Sequence, residues 1–176
     1  MNEKSSIRMM VMSSLFAALT AVGAYIAIPI GPVPIVLANF FVMSAGLLLG
    51  KKWAPASMAV YLLIGLAGLP VFTGGGSGPA SFAGPTGGFL LAYLVSAFVI
   101  ALICGAGEPK LWKDLVAVLA GIAVVYLIGV PWLKFSLSMD WNKALAAGMI
   151  PFIPGDLIKA AAAVAIVKFL RPRFND

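Results

Sequence analysis

The sequence predicts an all-α membrane protein of six transmembrane helices with both termini in the cytoplasm. Three observations carry that prediction. Apolar residues make up 62% of the chain and charged residues only 10%, against about 25% charged in ordinary soluble domains. The apolar residues fall into six runs near bilayer length. The basic residues cluster in alternate gaps between those runs, the pattern that marks the cytoplasmic side. The whole chain, 1–176, reads as one integral membrane domain.

The runs are 9–28, 35–50, 53–69, 86–103, 115–130 (with an extension to 137) and 154–170. The first has a basic start and small residues near Ala24, as a signal peptide does. It is longer than such a segment needs, and the charge pattern requires it as a retained span. The second and sixth runs are shorter than the roughly 20 residues that cross a bilayer. If the runs alternate, Lys4, Arg8, Lys51, Lys52, Lys110, Lys113, Lys168, Arg171 and Arg173 all fall on one side. Only Lys134, Lys143 and Lys159 fall on the other. The net charge of +6 is thus a topology signal and not a nucleic-acid footprint.

Two of the three outer connections carry no charge. Pro29-Ile-Gly-Pro-Val-Pro34 cannot continue a helix, because proline lacks an N–H and restricts the residue before it. The segment 69–88 is glycine-rich yet contains Val71, Phe72 and Phe82. Irregular backbone at membrane depth is tolerated only where protein buries it or water lines it. We therefore expect apolar outer loops folded over a cavity.

Asp156 and Lys159 are the feature most in need of explanation. They stand inside the sixth run, where a charge at a helix centre costs about 2.5–3.5 kcal/mol on insertion scales. At positions i and i+3 they share one helix face, about 4.5 Å apart along the axis. Intramembrane charges face a cavity or a partner and mark function. The plainer reading of the pair is a first-turn acid at a helix N-terminus, after Pro154 and Gly155, joined to a snorkelling lysine. Asn39, one turn into the second run, is the next polar candidate, with an interhelical hydrogen bond as its plainer role. In the first run Ala17 and Ala21 make a small-x-x-x-small stripe, with Ser13 one turn before and Ser14 and Ala18 alongside. Such spacing lets another helix approach closely.

Several functions are excluded or disfavoured. There is no histidine, and Cys104 is the one cysteine, so histidine triads, internal disulfides and cysteine-rich or imidazole-based metal sites are excluded. No lysine lies between Lys52 and Lys110, so the glycine segment is not a phosphate loop. An intramembrane enzyme is disfavoured, since Asp156 is the only carboxylate firmly inside a span and paired carboxylates are missing.

The stretches Ile28-Pro-Ile-Gly-Pro-Val-Pro-Ile35, Gly68-Leu-Pro-Val-Phe-Thr-Gly-Gly75, Gly84-Pro-Thr-Gly-Gly88 and Pro154-Gly-Asp-Leu-Ile-Lys159 resemble the signatures of the BioY family, the biotin-binding S components of energy-coupling-factor (ECF) transporters. The resemblance covers nearly the whole chain. It implies high-affinity biotin uptake through a prokaryotic, multi-pass plasma-membrane protein that is not an enzyme and has no cofactor of its own. It implies a vitamin site near the outer surface, and partners in the form of a transmembrane coupling protein and two ATPase subunits that alone use ATP. Asp156 and Lys159 match the family's biotin-holding pair, and Ala17 and Ala21 match the helix stripe that contacts the coupling protein. One departure stands out. Family members commonly carry glutamine after Val-Pro-x-x-Leu, where this chain has Ala38 followed by Asn39, so the role of Asn39 stays open.

For the biotin site the expected residues are Asp156, Lys159, Asn39, Phe72, Gly74, Gly75, Phe82, Thr86, Gly87 and Tyr93, with Phe89 a further candidate for the apolar wall. Glycine N–H groups of 74–88 would add donors, since glycine permits close backbone approach. Which group meets the ureido ring and which the valerate is left open. The alternatives are an S component for another small vitamin and a stand-alone facilitator that associates with itself in the lipid through its small-residue faces.

Overall fold

The computed structural model describes residues 3–105 and 110–175, with the side chains of 3–5 and 172–175 set aside. Lys4 and Arg173 of the charge pattern therefore lie outside the described side chains. The chain runs as α1 (Glu3–Tyr25), a two-residue hairpin of β1 (Ala27–Ile28) and β2 (Ile35–Val36), α2 (Ala38–Leu66), α3 (Gly78–Ala83), α4 (Gly87–Cys104), α5 (Leu111–Ser136), α6 (Trp141–Gly148) and α7 (Ile153–Asn175). Short 3-10 turns at Thr73–Gly75 and Ile150–Phe152 join them.

Among the described residues five segments are long and apolar enough to cross a membrane, and one of them crosses twice. Inside α2, Gly50 has φ 72° and ψ 173°, a conformation that only glycine adopts cheaply. It turns the chain back on itself. At the outer end the Leu37 N–H donates to Gly23 O of α1 (3.1 Å), and at the inner end the Ser13 hydroxyl of α1 donates to Trp53 O (3.0 Å). The Tyr25 hydroxyl of α1 then donates to Pro70 O. The arm of α2 before Gly50 thus descends and the arm after it climbs, which gives the six passes that the sequence predicts. The descending arm is about 18 Å long at 1.5 Å per residue, as short as the second run implies.

The first outer connection is a hairpin. Ala27 pairs with Val36 and Ile28 with Ile35, antiparallel, and the three prolines lie in its tip. The 69–88 segment is likewise structured, with α3 inside it. The fifth span continues through Pro131 to Ser136.

The small residues of α1 divide between two faces. Ala17 faces inward and is only 3% exposed, and Ala21 is half-buried. The buried stripe of α1 is Ser13, Phe16, Ala17, Thr20 and Ala24, the spacing of one helix face. It packs on α2, because Ser13 seeks Trp53 O and the small residues let the helices close. The small residues that face outward are Ser14 and Ala18.

At the inner ends of the helices lies a second buried ion pair. Arg171 and Asp114 are 7% and 3% exposed. The Arg171 guanidinium donates to both Asp114 oxygens (3.0 Å each), to Leu47 O (3.1 Å) and to Cys104 Sγ (3.1 Å). The Cys104 thiol donates in turn to Asp114 Oδ1 (3.1 Å). One side chain thus ties α7 to α2, α4 and α5. Arg171 belongs to this buried cluster and not to the solvated cytoplasmic face.

Candidate functional site

Asp156 sits in the first turn of α7, where the exposed N–H ends of the helix favour a carboxylate. It is 2% exposed. A buried charge is tolerated only when paired and hydrogen-bonded, and three donors meet it. The Lys159 ammonium reaches Oδ1 at 2.9 Å, the Tyr126 hydroxyl reaches Oδ2 at 2.6 Å, and the Asn39 amide lies 3.5 Å from Oδ1. Lys159 also donates to Val36 O of the hairpin (2.8 Å), so the outer connection helps to place the cation. A carboxylate offers about four acceptor positions. Three are used, and one is left for a ligand donor.

Asp156 opens onto a cleft of about 630 Å³, counted with its mouth. Polar groups converge there from four helices and the glycine segment: Asn39, Thr73, Ser81, Thr86, Tyr93 and Tyr126. Apolar walls come from Val36, Phe72, Phe89, Leu90, Val125 and Phe152. The Asn39 Oδ1 atom is buried and has no partner among the described residues. Buried acceptors are normally satisfied, and this oxygen can accept a further hydrogen bond. A mostly apolar cleft with a few converging polar groups is the usual form of a small-molecule site.

Of the expected residues, the cleft brings together Asp156, Asn39, Phe72, Thr86 and Tyr93. Lys159 stands behind Asp156 and does not line the cleft. Phe82 backs Phe72 ring to ring. Gly74 and Gly75 form the 3-10 turn beside Thr73, both with positive φ, and Gly87 begins α4, pressed against the Phe82 carbonyl. Sequence reasoning missed Tyr126, Thr73 and Ser81. A tyrosine in the apolar fifth run looks like core. The signal that could have found it is that a buried Asp156 needs more donors than Lys159 alone. Among the described residues no cluster of three or more metal-ligating side chains occurs.

The roof of the cleft is the 69–86 segment. Phe72 sits edge-on to Tyr61 (5.4 Å between centroids) and to Phe82 (5.5 Å). Its ring lies against Gly65 so closely that a Cβ there would be 2.0 Å from the ring tip. The Trp132 indole N–H donates to Gly84 O (3.0 Å), which ties the far end of the roof to α5. Gly65→Leu is therefore expected to evict Phe72 and lift the roof. The ligand off-rate, followed by stopped-flow or filter binding, should rise about tenfold or more, as for the loss of a gating loop contact. An unchanged off-rate would mean that Phe72 does not fasten the roof.

The BioY family model matches residues 1–176. The chain is 43% identical over 158 residues to the probable biotin transporter BioY of Pyrococcus horikoshii, covering 90% of this chain and 93% of that protein. It is 40% identical over 164 residues to the biotin transporter BioY of Thermotoga maritima, covering 93% and 96%. A crystal structure described as the S-component for biotin from an ECF-type ABC transporter superposes with a TM-score of 0.88 at 35% identity, covering 98% of this chain and 95% of that one.

Proposed function

The chain belongs to the BioY family, and from that premise we propose that it captures biotin from outside the cell as the S component of an ECF-type transporter. It is a multi-pass membrane protein of a family found in bacteria and archaea, and it is a transporter component and not an enzyme. The observation that carries the proposal is the buried Asp156, held by three donors yet lining a cleft of apolar walls and converging polar groups.

Biotin offers two ureido N–H donors, a ureido carbonyl, an apolar bicycle and a valerate carboxylate. The spare acceptor position of Asp156 and the unpartnered Asn39 Oδ1 suit the two ureido N–H groups. Tyr93, Phe72 and Phe89 wall the bicycle. The hydroxyls of Thr73, Ser81 and Thr86, nearer the roof, suit the valerate. Lys159 donates to the Asp156 carboxylate and helps to hold it in place as an acceptor. A preorganised site of this kind reaches nanomolar affinity, about −12 kcal/mol.

Capture is followed by handover. A transmembrane coupling protein with two ATPase subunits supplies the energy, and ATP is used only there. The outward small face of α1, Ser14 and Ala18, is where a partner helix can approach. Ala18→Trp is expected to leave equilibrium biotin binding unchanged and to abolish uptake of labelled biotin in cells that carry the coupling protein and ATPases. Full uptake by this variant would place the partner contact elsewhere. Uptake by wild-type protein in cells without any ATPase subunit would favour the stand-alone facilitator.

A further inference from the structure

Behind the Tyr126–Asp156 pair, on the side away from the cleft, lies a second hollow. It is a groove of about 1070 Å³, counted with its open side, between α5, α6 and α7. Leu119, Leu127, Pro131, Leu145 and Leu157 line it, with Trp141 at one end. Tyr126 and Asp156 form part of its floor, but their polar atoms are engaged with each other. The groove is thus lined almost wholly by apolar side chains. A ligand with a ureido ring or a carboxylate would lose hydrogen bonds there, so this is not a second vitamin site.

The groove and its rim fit a different chemistry. From Leu119 to Pro131 along α5 is about 18 Å, close to half of a hydrocarbon core of about 30 Å. The groove therefore reaches from the outer interface to about mid-membrane. Trp141 marks the interface end, the level at which tryptophans collect. Beside it Lys134 lies over two ring faces, 5.2 Å from the Trp141 centroid and 4.8 Å from that of Phe135. Among the described residues Lys134 has no carboxylate partner, whereas Lys143 is matched by Asp140 at 3.5 Å. The rim thus carries one unneutralised cation at headgroup level above an apolar slot.

From this we propose that the groove holds one acyl chain of an outer-leaflet phospholipid, whose phosphate is bound by Lys134 beside Trp141. A second copy of the chain is the poorer occupant. An isologous pair would bring the same patch face to face, setting Lys134 of each copy toward the other and concave surface against concave surface.

The test is native mass spectrometry of the full chain, delipidated in detergent and titrated with palmitoyl-oleoyl phosphatidylglycerol or with the matching diacylglycerol, which lacks the phosphate. Two variants accompany the wild type: Ala123→Trp, which fills the groove from its exposed wall, and Lys134→Ala, which removes the cation and leaves the slot. Wild-type protein is expected to retain one phospholipid. Ala123→Trp should lose it at least tenfold. Lys134→Ala should lose about fivefold in phospholipid affinity, the value of one lysine near a charged lipid surface, and nothing with diacylglycerol. Size-exclusion elution and thermal unfolding report whether Ala123→Trp is folded. If it is not, the Lys134→Ala comparison alone decides. Equal loss of both lipids by Lys134→Ala, equal retention by a folded Ala123→Trp, or no retained lipid on wild type each overturns the proposal. A dimer mass that Ala123→Trp abolishes would assign the groove to a second copy and overturn it too.

Discussion

Asp156→Ala should weaken biotin binding by about 10–100-fold, because a hydrogen bond to a charged group contributes roughly 1.5–3 kcal/mol. The loss has two sources. The ligand loses an acceptor, and Lys159 loses the charge that holds it against Val36 O. Removing one member of a buried ion pair also destabilises the protein, by about 3–5 kcal/mol. Affinity must therefore be read on the folded fraction, by isothermal titration after size exclusion. The pair Asp156→Asn with Lys159→Met separates the two effects. It removes both charges, so much of the stability should return. The binding should not, because an amide turned toward Tyr126 and Asn39 no longer accepts as a carboxylate does. Lys159→Met alone should also weaken binding, through Asp156, although its ammonium does not line the cleft. Wild-type affinity in both single variants would remove the pair from the site.

The second large effect belongs to the other end of the molecule. Asp114→Ala should lower stability by about 3–5 kcal/mol, since it strands the Arg171 guanidinium among Leu47, Cys104 and apolar neighbours. Replacing the pair together, Asp114→Leu with Arg171→Met, should recover most of the loss, because apolar side chains of similar volume avoid the cost of burying charge. Thermal unfolding in detergent reads both. Biotin affinity should not change in the double variant, as residue 171 lies about 22 Å along α7 from residue 156. A loss under about 1 kcal/mol for Asp114→Ala would mean that the pair behaves as an exposed one.

How far the fold could be read before the structure depended on the kind of signal. The six passes were legible because a bilayer imposes length and apolarity on each run, and lysines declare the cytoplasmic side. The turn at Gly50 was legible as a gap between runs, through Lys51 and Lys52. Asp156 was legible because a carboxylate inside a span is costly. Facing was much less so. Ala17 and Ala18 are adjacent and alike, and an apolar helix in lipid has no polar face to tell inside from outside. The buried Ser13 next to Ala17 was the one usable clue. Tyr126 and the Asp114–Arg171 pair were hidden for a related reason: each partner lies on a distant helix, and each residue has an ordinary role at its place in the sequence. Asp114 passes for a first-turn acid, and Arg171 for a cytoplasmic anchor. The 69–88 segment was rightly read as folded, but glycine and proline do not specify a short helix such as α3.

Of all the claims, the one that the rest depends on is that the cleft over Asp156 is a biotin site. Saturation binding of labelled biotin to the purified chain in detergent, without partner subunits or ATP, addresses it directly, with unlabelled biotin, thiamine and riboflavin as competitors. One saturable site of nanomolar affinity is expected, displaced by biotin alone and weakened at least tenfold in Asp156→Ala. No saturable binding, or displacement by thiamine or riboflavin as readily as by biotin, would contradict the account.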